Sequence, residues 1–229
     1  MDEIRIIGID LSLNHSGLVE LDLTGDLTWW EFVSESKAAA GRNGRGIHLP
    51  KFKGDRQQAQ MERLAWWVEF LTRVFAQRRP CYVGIEDYAF SAASNTSYQI
   101  GELGGMARLS ALRSGAMLRL HDPTSVKMFG ALNGAATATD LVEKVKELWG
   151  SDFSVANPPV GKGKPNTIPG EDLAAAYAVA RLVWTEVKLR AGFLRLDALH
   201  EKQIQVFNRT TKANPVNLLG REWLELEGA

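Results

Sequence analysis

Three carboxylates stand where the character of this sequence changes. Asp10 follows the apolar run Ile6–Ile9 and precedes a polar cluster, Ser12-Leu13-Asn14-His15-Ser16-Gly17. Glu86 closes a second apolar run, Cys81-Tyr82-Val83-Gly84-Ile85, and Asp172 opens the Ala-rich stretch that runs to Leu189. Taken singly, each acid has a plain explanation: a polar turn, a strand end, or a complement to a helix dipole. Taken together they suggest chemistry. Strand ends at one edge of an α/β sheet converge on a crevice, and carboxylates gathered there repel one another unless a hard divalent cation such as magnesium or manganese lies among them. Two such ions about 4 Å apart can activate a water and steady the leaving oxygen of a phosphodiester.

The elements around these acids follow from pattern and punctuation. Residues 4–10 read as a strand, and "SGLVELDL" and "LTWWEFV" read as two more, joined through the turn Thr24-Gly25-Asp26. Residues 34–57 lack apolar periodicity and read as a long loop. Met61, Leu64, Ala65, Val68, Leu71 and Phe75 recur at helical spacing, and Pro80 ends that helix. "CYVGIED" is apolar throughout, as in a strand covered on both faces. A helix over 96–115, a strand in "AMLRLHDP", a short helix from Thr139 or Asp140, a Pro/Gly/Lys loop at 151–170 and the long helix after Glu171 complete the order. The result is an α/β arrangement with a mixed sheet. Residues 1–190 form the expected domain, with 191–229 as a C-terminal extension.

Composition narrows the class. Hydrophobic residues make up 45% and charged residues 24%, ordinary for a soluble globular chain. A single cysteine, Cys81, excludes an internal disulfide framework and a Cys-rich zinc site. The opening residues lack a secretory pattern, which predicts a cytoplasmic setting. Net charge is zero, yet Lys37, Arg42, Arg45, Lys51, Lys53 and Arg56 face only Asp55 within their segment. Such a stretch is either a solvated loop or a basic face hidden by acids gathered elsewhere. The pairs Trp29-Trp30 and Trp66-Trp67 are expected to pack rather than to stack on bases.

With these pieces in order, the chain resembles a family. "GIDLSLNHSG", "VGIEDYAF", "DPTSVKMFGALNGAAT" and "EDLAAAYAVA" fall in the sequence and spacing of the RuvC-like Holliday-junction resolvases of the ribonuclease H superfamily, from residue 4 to about 183. The phage-type branch is the most similar, given the long loops and tail. The resemblance implies a ribonuclease H-like fold: a mixed five-stranded sheet, three antiparallel strands plus two parallel, flanked by helices. It implies two magnesium or manganese ions held by Asp10, Glu86 and Asp172, with Lys127 of the Pro123-x-x-Val126-Lys127 stretch near the junction. Asn133 and Gly134 match its turn, and helix 96–115 its dimerisation element, so the implied partners are a second copy and branched DNA, in a bacterial host cell.

Two positions depart from the pattern. Ala175 stands where the resemblance expects a metal-binding Asp, and Ala138 where it expects a Lys. Asp172 and Ala175 lie three residues apart, on one face of a helix, and Glu171 is the neighbouring acid that could substitute. The expectation is a structure-specific endonuclease that binds junctions and cuts them poorly. For DNA contact the candidates are Tyr88 and Phe90 as stacking platforms, and Arg42, Arg45, Lys51, Lys53, Lys162 and Lys164 on phosphates. Three alternatives share some of these features: a non-catalytic branched-DNA-binding protein of this fold, a flap or fork nuclease, and an actin- or Hsp70-like ATPase. The last shares the opening Gly-Ile-Asp-Leu pattern but needs a second phosphate loop and a duplicated domain.

Overall fold

Strand β1 (Arg5–Leu11) is apolar on both faces because both faces are covered, which is why its sequence runs nearly without interruption. The computed structural model describes residues 4–36, 46–87, 95–156, 169–212 and 214–226. β1 pairs antiparallel with β2 (His15–Asp22), and β2 with β3 (Leu27–Ser34), as the turn at Gly25 demands. On its other side β1 pairs in parallel with β5 (Tyr82–Glu86), which pairs in parallel with β6 (Met117–His121).

The expected sheet has five strands; among the described residues the sheet has six, with β4 (Gly46–His48) added, in the order β4-β3-β2-β1-β5-β6. The extra strand lies inside the segment read as loop and pairs in parallel with β3. Three residues are too few to display alternation, and their glycines and basic neighbours mask them.

Helices cover the two faces unequally. α1 (Arg56–Arg78) is capped by Asp55, whose side chain accepts from Gln58 N at 2.9 Å, and it stops at Arg79 (φ 49°), one residue before Pro80. With α2 (Asn95–Arg113) it covers the face carrying Ile7, Ile9, Val83 and Ile85, where Trp67, Phe70 and Leu71 form the bulk of the core. Trp67 is buried, while Trp29, Trp30 and Trp66 are partly buried and packed on the two main cores. α3 (Pro123–Ala131) and α4 (Ala138–Trp149) flank α5 (Pro169–Arg190), which crosses the opposite face.

That crossing is unusually close. A Cβ on Gly8 would lie 2.1 Å from Ala176 O, one on Gly17 2.4 Å from Asp172 O, and one on Gly84 2.7 Å from the side chains of Val179 and Val183. Three strands thus present bare backbone to one helix: Ala176 and Ala180 of α5 lie over Gly8, the Asp172 backbone over Gly17, and Val179 and Val183 over Gly84. Ala178 meets Gly130 of α3 instead.

The chain beyond residue 190 packs back onto the sheet. α6 (Glu201–Asn208) buries Val206 and Phe207 with Phe129 and Leu182. Further on, Leu224 makes an isolated antiparallel bridge to Leu118, through bonds of 2.8 and 3.1 Å that cover the outer edge of β6. Arg119 of β6 forks onto Glu186 of α5 (2.6 and 3.1 Å) and donates to the Glu222 carbonyl at 2.7 Å, with its guanidinium 4.3 Å from the Trp223 ring. Both charged side chains are nearly inaccessible, so removing either would leave the other uncompensated.

Gly8→Ala is expected to destabilise the protein by about 3 kcal/mol, since the obstructing atom is backbone and α5 itself must move. Urea denaturation of the two proteins checks this, and an unchanged midpoint would mean that α5 sits farther from β1.

Candidate functional site

Register places the acids before any contact is considered. Gly8 pairs with Gly84 across the parallel β1–β5 ladder, so Asp10 and Glu86, each two residues further on, occupy the same face at the same level of neighbouring strands. Adjacent strands lie about 4.8 Å apart. Across the antiparallel ladder Asp10 pairs with Gly17, whose missing Cβ is what lets the Asp172 backbone settle onto the sheet there. One glycine row therefore brings the first turn of α5 to the ends of β1 and β5. The three acids gather at one edge.

Their electrostatics follow. Burial, then Glu86, then Asp172 hold the Asp10 carboxyl well above the usual carboxylate range. Glu86 is raised to about 7, chiefly by burial; Lys127 works against that shift, while Asp122 and Asp172 add to it. Lys127, in the second turn of α3, thus reaches Glu86 from the flank, and α3 is aimed by Asp122, whose carboxylate caps the helix through Ser125 N at 3.0 Å. His121, the β6 neighbour of Glu86, is buried and pushed down to about 3, so it brings no positive charge to the cluster.

Asp172 is not alone. His15, at the start of β2, places Nδ1 2.7 Å from Asp172 Oδ2, and this hydrogen bond is the main reason its imidazole is raised above the ordinary value. The sequence displayed His15 only as part of a polar turn, because its partner lies 157 residues away. Glu171 turns to α4 and accepts from Thr139 Oγ1 at 3.0 Å. Ala175 packs against the α5 core cluster, and Ala138 is the exposed first residue of α4. Asn133 closes its turn by accepting from Ala135 N at 3.0 Å.

Among the described residues, no three His, Cys, Asp or Glu side chains converge closely enough to hold one ion as they stand. The donor chemistry nevertheless fits a hard divalent cation: oxygen donors predominate, and carboxyls driven up by burial and by one another are relieved by positive charge. Lys51 and Lys53 are exposed beside β4. Tyr88, Phe90, Arg42, Arg45, Lys162 and Lys164 lie outside the described residues.

No family model matches this sequence, and no curated protein matches it. Solved structures do. Thermus thermophilus RuvC superposes with a TM-score of 0.53 at 21% identity, over 82% of this chain and 97% of its own. The same protein in complex with a Holliday junction substrate gives 0.53 at 18% identity, over 82% and 96%. The yeast mitochondrial Holliday junction resolvase Ydc2 gives 0.50 at 12% identity, over 77% and 76%. The fold is that of the RuvC resolvases. The RuvC-like, ribonuclease H-type architecture expected from the quoted motifs is therefore present, with β4 added at the edge of the sheet.

An acid whose folded pKa is raised destabilises the fold once it ionises. For Glu86 stability is full below the ordinary value of 4.5 and falls as pH rises to about 7, by on the order of 3 kcal/mol. Asp10 acts in the same direction. In metal-free protein, Glu86→Gln should flatten this fall, as measured by urea denaturation between about pH 4.5 and 8. Equal slopes for the two proteins would show that Glu86 ionises normally.

Proposed function

We propose that this chain is a divalent-metal-dependent endonuclease for branched DNA, acting on four-way junctions. The observation that carries the reading is the gathering of Asp10, Glu86 and Asp172 at one sheet edge by the glycine row, within a RuvC fold. Asp10, Glu86 and Asp172 would hold magnesium or manganese, which when bound supplies an activated water and stabilises charge on the leaving oxygen. Lys127, whose positive charge already favours ionised Glu86, would offset charge developing on the phosphate. Burial around Asp10 lowers the local dielectric and strengthens each of these interactions. Lys51 and Lys53 lie on the exposed side of the β4 segment, suited to phosphates of the arms.

A second copy fits the same reading. Met61 on α1 and Tyr98, Met106 and Leu109 on α2 leave large apolar groups exposed on neighbouring helices, with Tyr98 at 68%. Two such faces would bury one another in a two-fold dimer matched to a junction's own symmetry.

A non-catalytic junction-binding protein is favoured by one feature, Ala175, which offers no donor atom where the resemblance expects a carboxylate. One assay separates the readings. A labelled four-way junction, beside a linear duplex, is incubated with magnesium and the original protein, Asp10→Asn, Ala175→Asp or Ala138→Lys. Junction-selective binding with weak cleavage is expected for the original protein. Asp10→Asn should abolish the residual cleavage, and Ala175→Asp should raise it by more than about tenfold, since a further oxygen ligand fixes a hard ion. Ala138→Lys adds charge rather than metal geometry and should give a smaller increment. No cleavage by any of the four proteins would establish the binding role instead.

A further inference from the structure

The row of strand ends does not stop at Glu86. Glu86 pairs with His121 across the parallel β5–β6 ladder, so His121 stands on the same face and at the same level, one strand further from Asp10. There a polar cleft of about 170 Å³ opens between the ends of β5 and β6, the start of α3 and the C-terminal tail. It is lined by Asp87, His121 and Asp122 and, from the tail, by Arg209, Thr211 and Arg221. The space is roughly ten times what one water needs.

The acids of this cleft are already engaged. Asp122 accepts from Ser125 N at 3.0 Å, Ser125 Oγ at 2.7 Å and Arg209 Nη1 at 3.3 Å, and Asp87 is paired with Arg108 at 2.5 Å. The donors have capacity left. Arg221 donates from Nε to the Val216 carbonyl at 3.1 Å, its one guanidinium hydrogen bond among the described residues. Arg209 reaches Asp122 and Ser125 Oγ through Nη1 alone, although a guanidinium carries five N–H groups. Thr211 Oγ1 accepts from Asn214 N at 3.0 Å, which leaves its own hydrogen to donate. His121 is 4% exposed, and its Nε2 has no hydrogen-bond partner among the described residues. A buried polar nitrogen in that state is unfavourable until a ligand meets it. Three guanidinium groups stand against two carboxylates here, so positive charge and N–H donors are in excess.

We propose that this cleft is a phosphate subsite completed by the C-terminal tail, seating the phosphodiester next to the one presented to Asp10 and Glu86. The inference rests on the branched-DNA reading above and refines it. A guanidinium fork matches the paired oxygens of a phosphate. The Thr211 hydroxyl and a neutral imidazole with its hydrogen on Nε2 each donate to one oxygen more. Adjacent strands lie about 4.8 Å apart, so His121 is one strand spacing from Glu86 and two from Asp10. A nucleic-acid strand laid along this sheet edge therefore meets the acids first and the cleft next. A free inorganic phosphate would offer the same oxygens; the strand is favoured because the cleft continues the row of acids.

The test is binding of a labelled four-way junction to the full chain in calcium, with one uncharged methylphosphonate moved along its strands. In the original protein one neutralised linkage should weaken binding about tenfold, and it should neighbour the linkage that Ala175→Asp cuts in magnesium. Arg221→Gln should bind the unmodified junction about tenfold more weakly, lower the salt slope by about one, and lose its sensitivity to that linkage. Arg209→Gln should do the same, whereas Arg195→Gln, a tail charge outside the cleft, should keep the original pattern. Sensitivity unchanged in both cleft variants, beside Asp10-dependent cleavage, would overturn the subsite and leave the nuclease reading intact. An Arg221-dependent linkage in proteins that cut nothing would overturn the nuclease reading and leave the subsite. No junction binding at all would overturn both. Inorganic phosphate held through Arg221, with no linkage depending on it, would mean a free-anion site and overturn the strand assignment. Should Arg221→Gln fail to fold, Arg209→Gln carries the comparison, and an original protein indifferent to every linkage overturns the subsite by itself.

Discussion

Helix α5 lies against bare backbone. Gly8, Gly17 and Gly84 come from three different strands, and each leaves out the one carbon that would hold the helix away. Asp172, Ala176, Val179, Ala180 and Val183 of α5 are the other half of the same contact. Everything at the candidate site is referred to this interface: Asp172 rides on the helix, Asp10 and Glu86 stand two residues beyond Gly8 and Gly84, and His15 stands two before Gly17. At Gly8 and Gly17 main chain meets main chain, so the separations there are set by strand spacing and helix radius, which vary little, while at Gly84 the β-branched Val179 and Val183 make the contact.

The two faces of the sheet consequently differ in what they contribute. On the α1 and α2 side large residues interlock around Trp67, Phe70 and Leu71, and burial of apolar area is the main stabilising effect. On the α5 side Phe32, Leu141, Phe153 and Tyr177 also bury apolar area, and the glycine contacts add a fixed position for the helix. The acids cost stability when they ionise in this setting, a cost carried by the aromatic core on the far side of the sheet.

Much of this was legible in the sequence, for definite reasons. Asp10 and Glu86 were readable because an apolar run ending on an acid is a strong local signal, and Asp172 because the Ala-rich stretch after it has one clear beginning. The order of elements fixed the mixed sheet. β4 was not legible, since pairing with β3 rather than any pattern of its own makes Gly46–His48 a strand. His15 was not legible either: nothing in a polar turn announces a carboxylate from the far end of the chain. The glycines could be seen, but their purpose could not, because a glycine in a strand looks the same whether it bends the chain or admits a helix.

The clasp formed by the tail has a mechanical meaning for the site. α5 behaves as a beam with three supports: the Asp172–His15 bond at one end, the Gly8–Ala176 crossing near it, and the Glu186–Arg119 fork further along, with Arg190 also tied to the tail carbonyl of Arg221 at 2.5 Å. A beam resting at only one point can rock, and rocking would swing Asp172 away from Asp10. Glu186 lies fourteen residues beyond Asp172, about 21 Å along the axis. The angle at which an acid enters the crevice is thus held in part by a buried ion pair on the far side of the molecule, beneath Trp223.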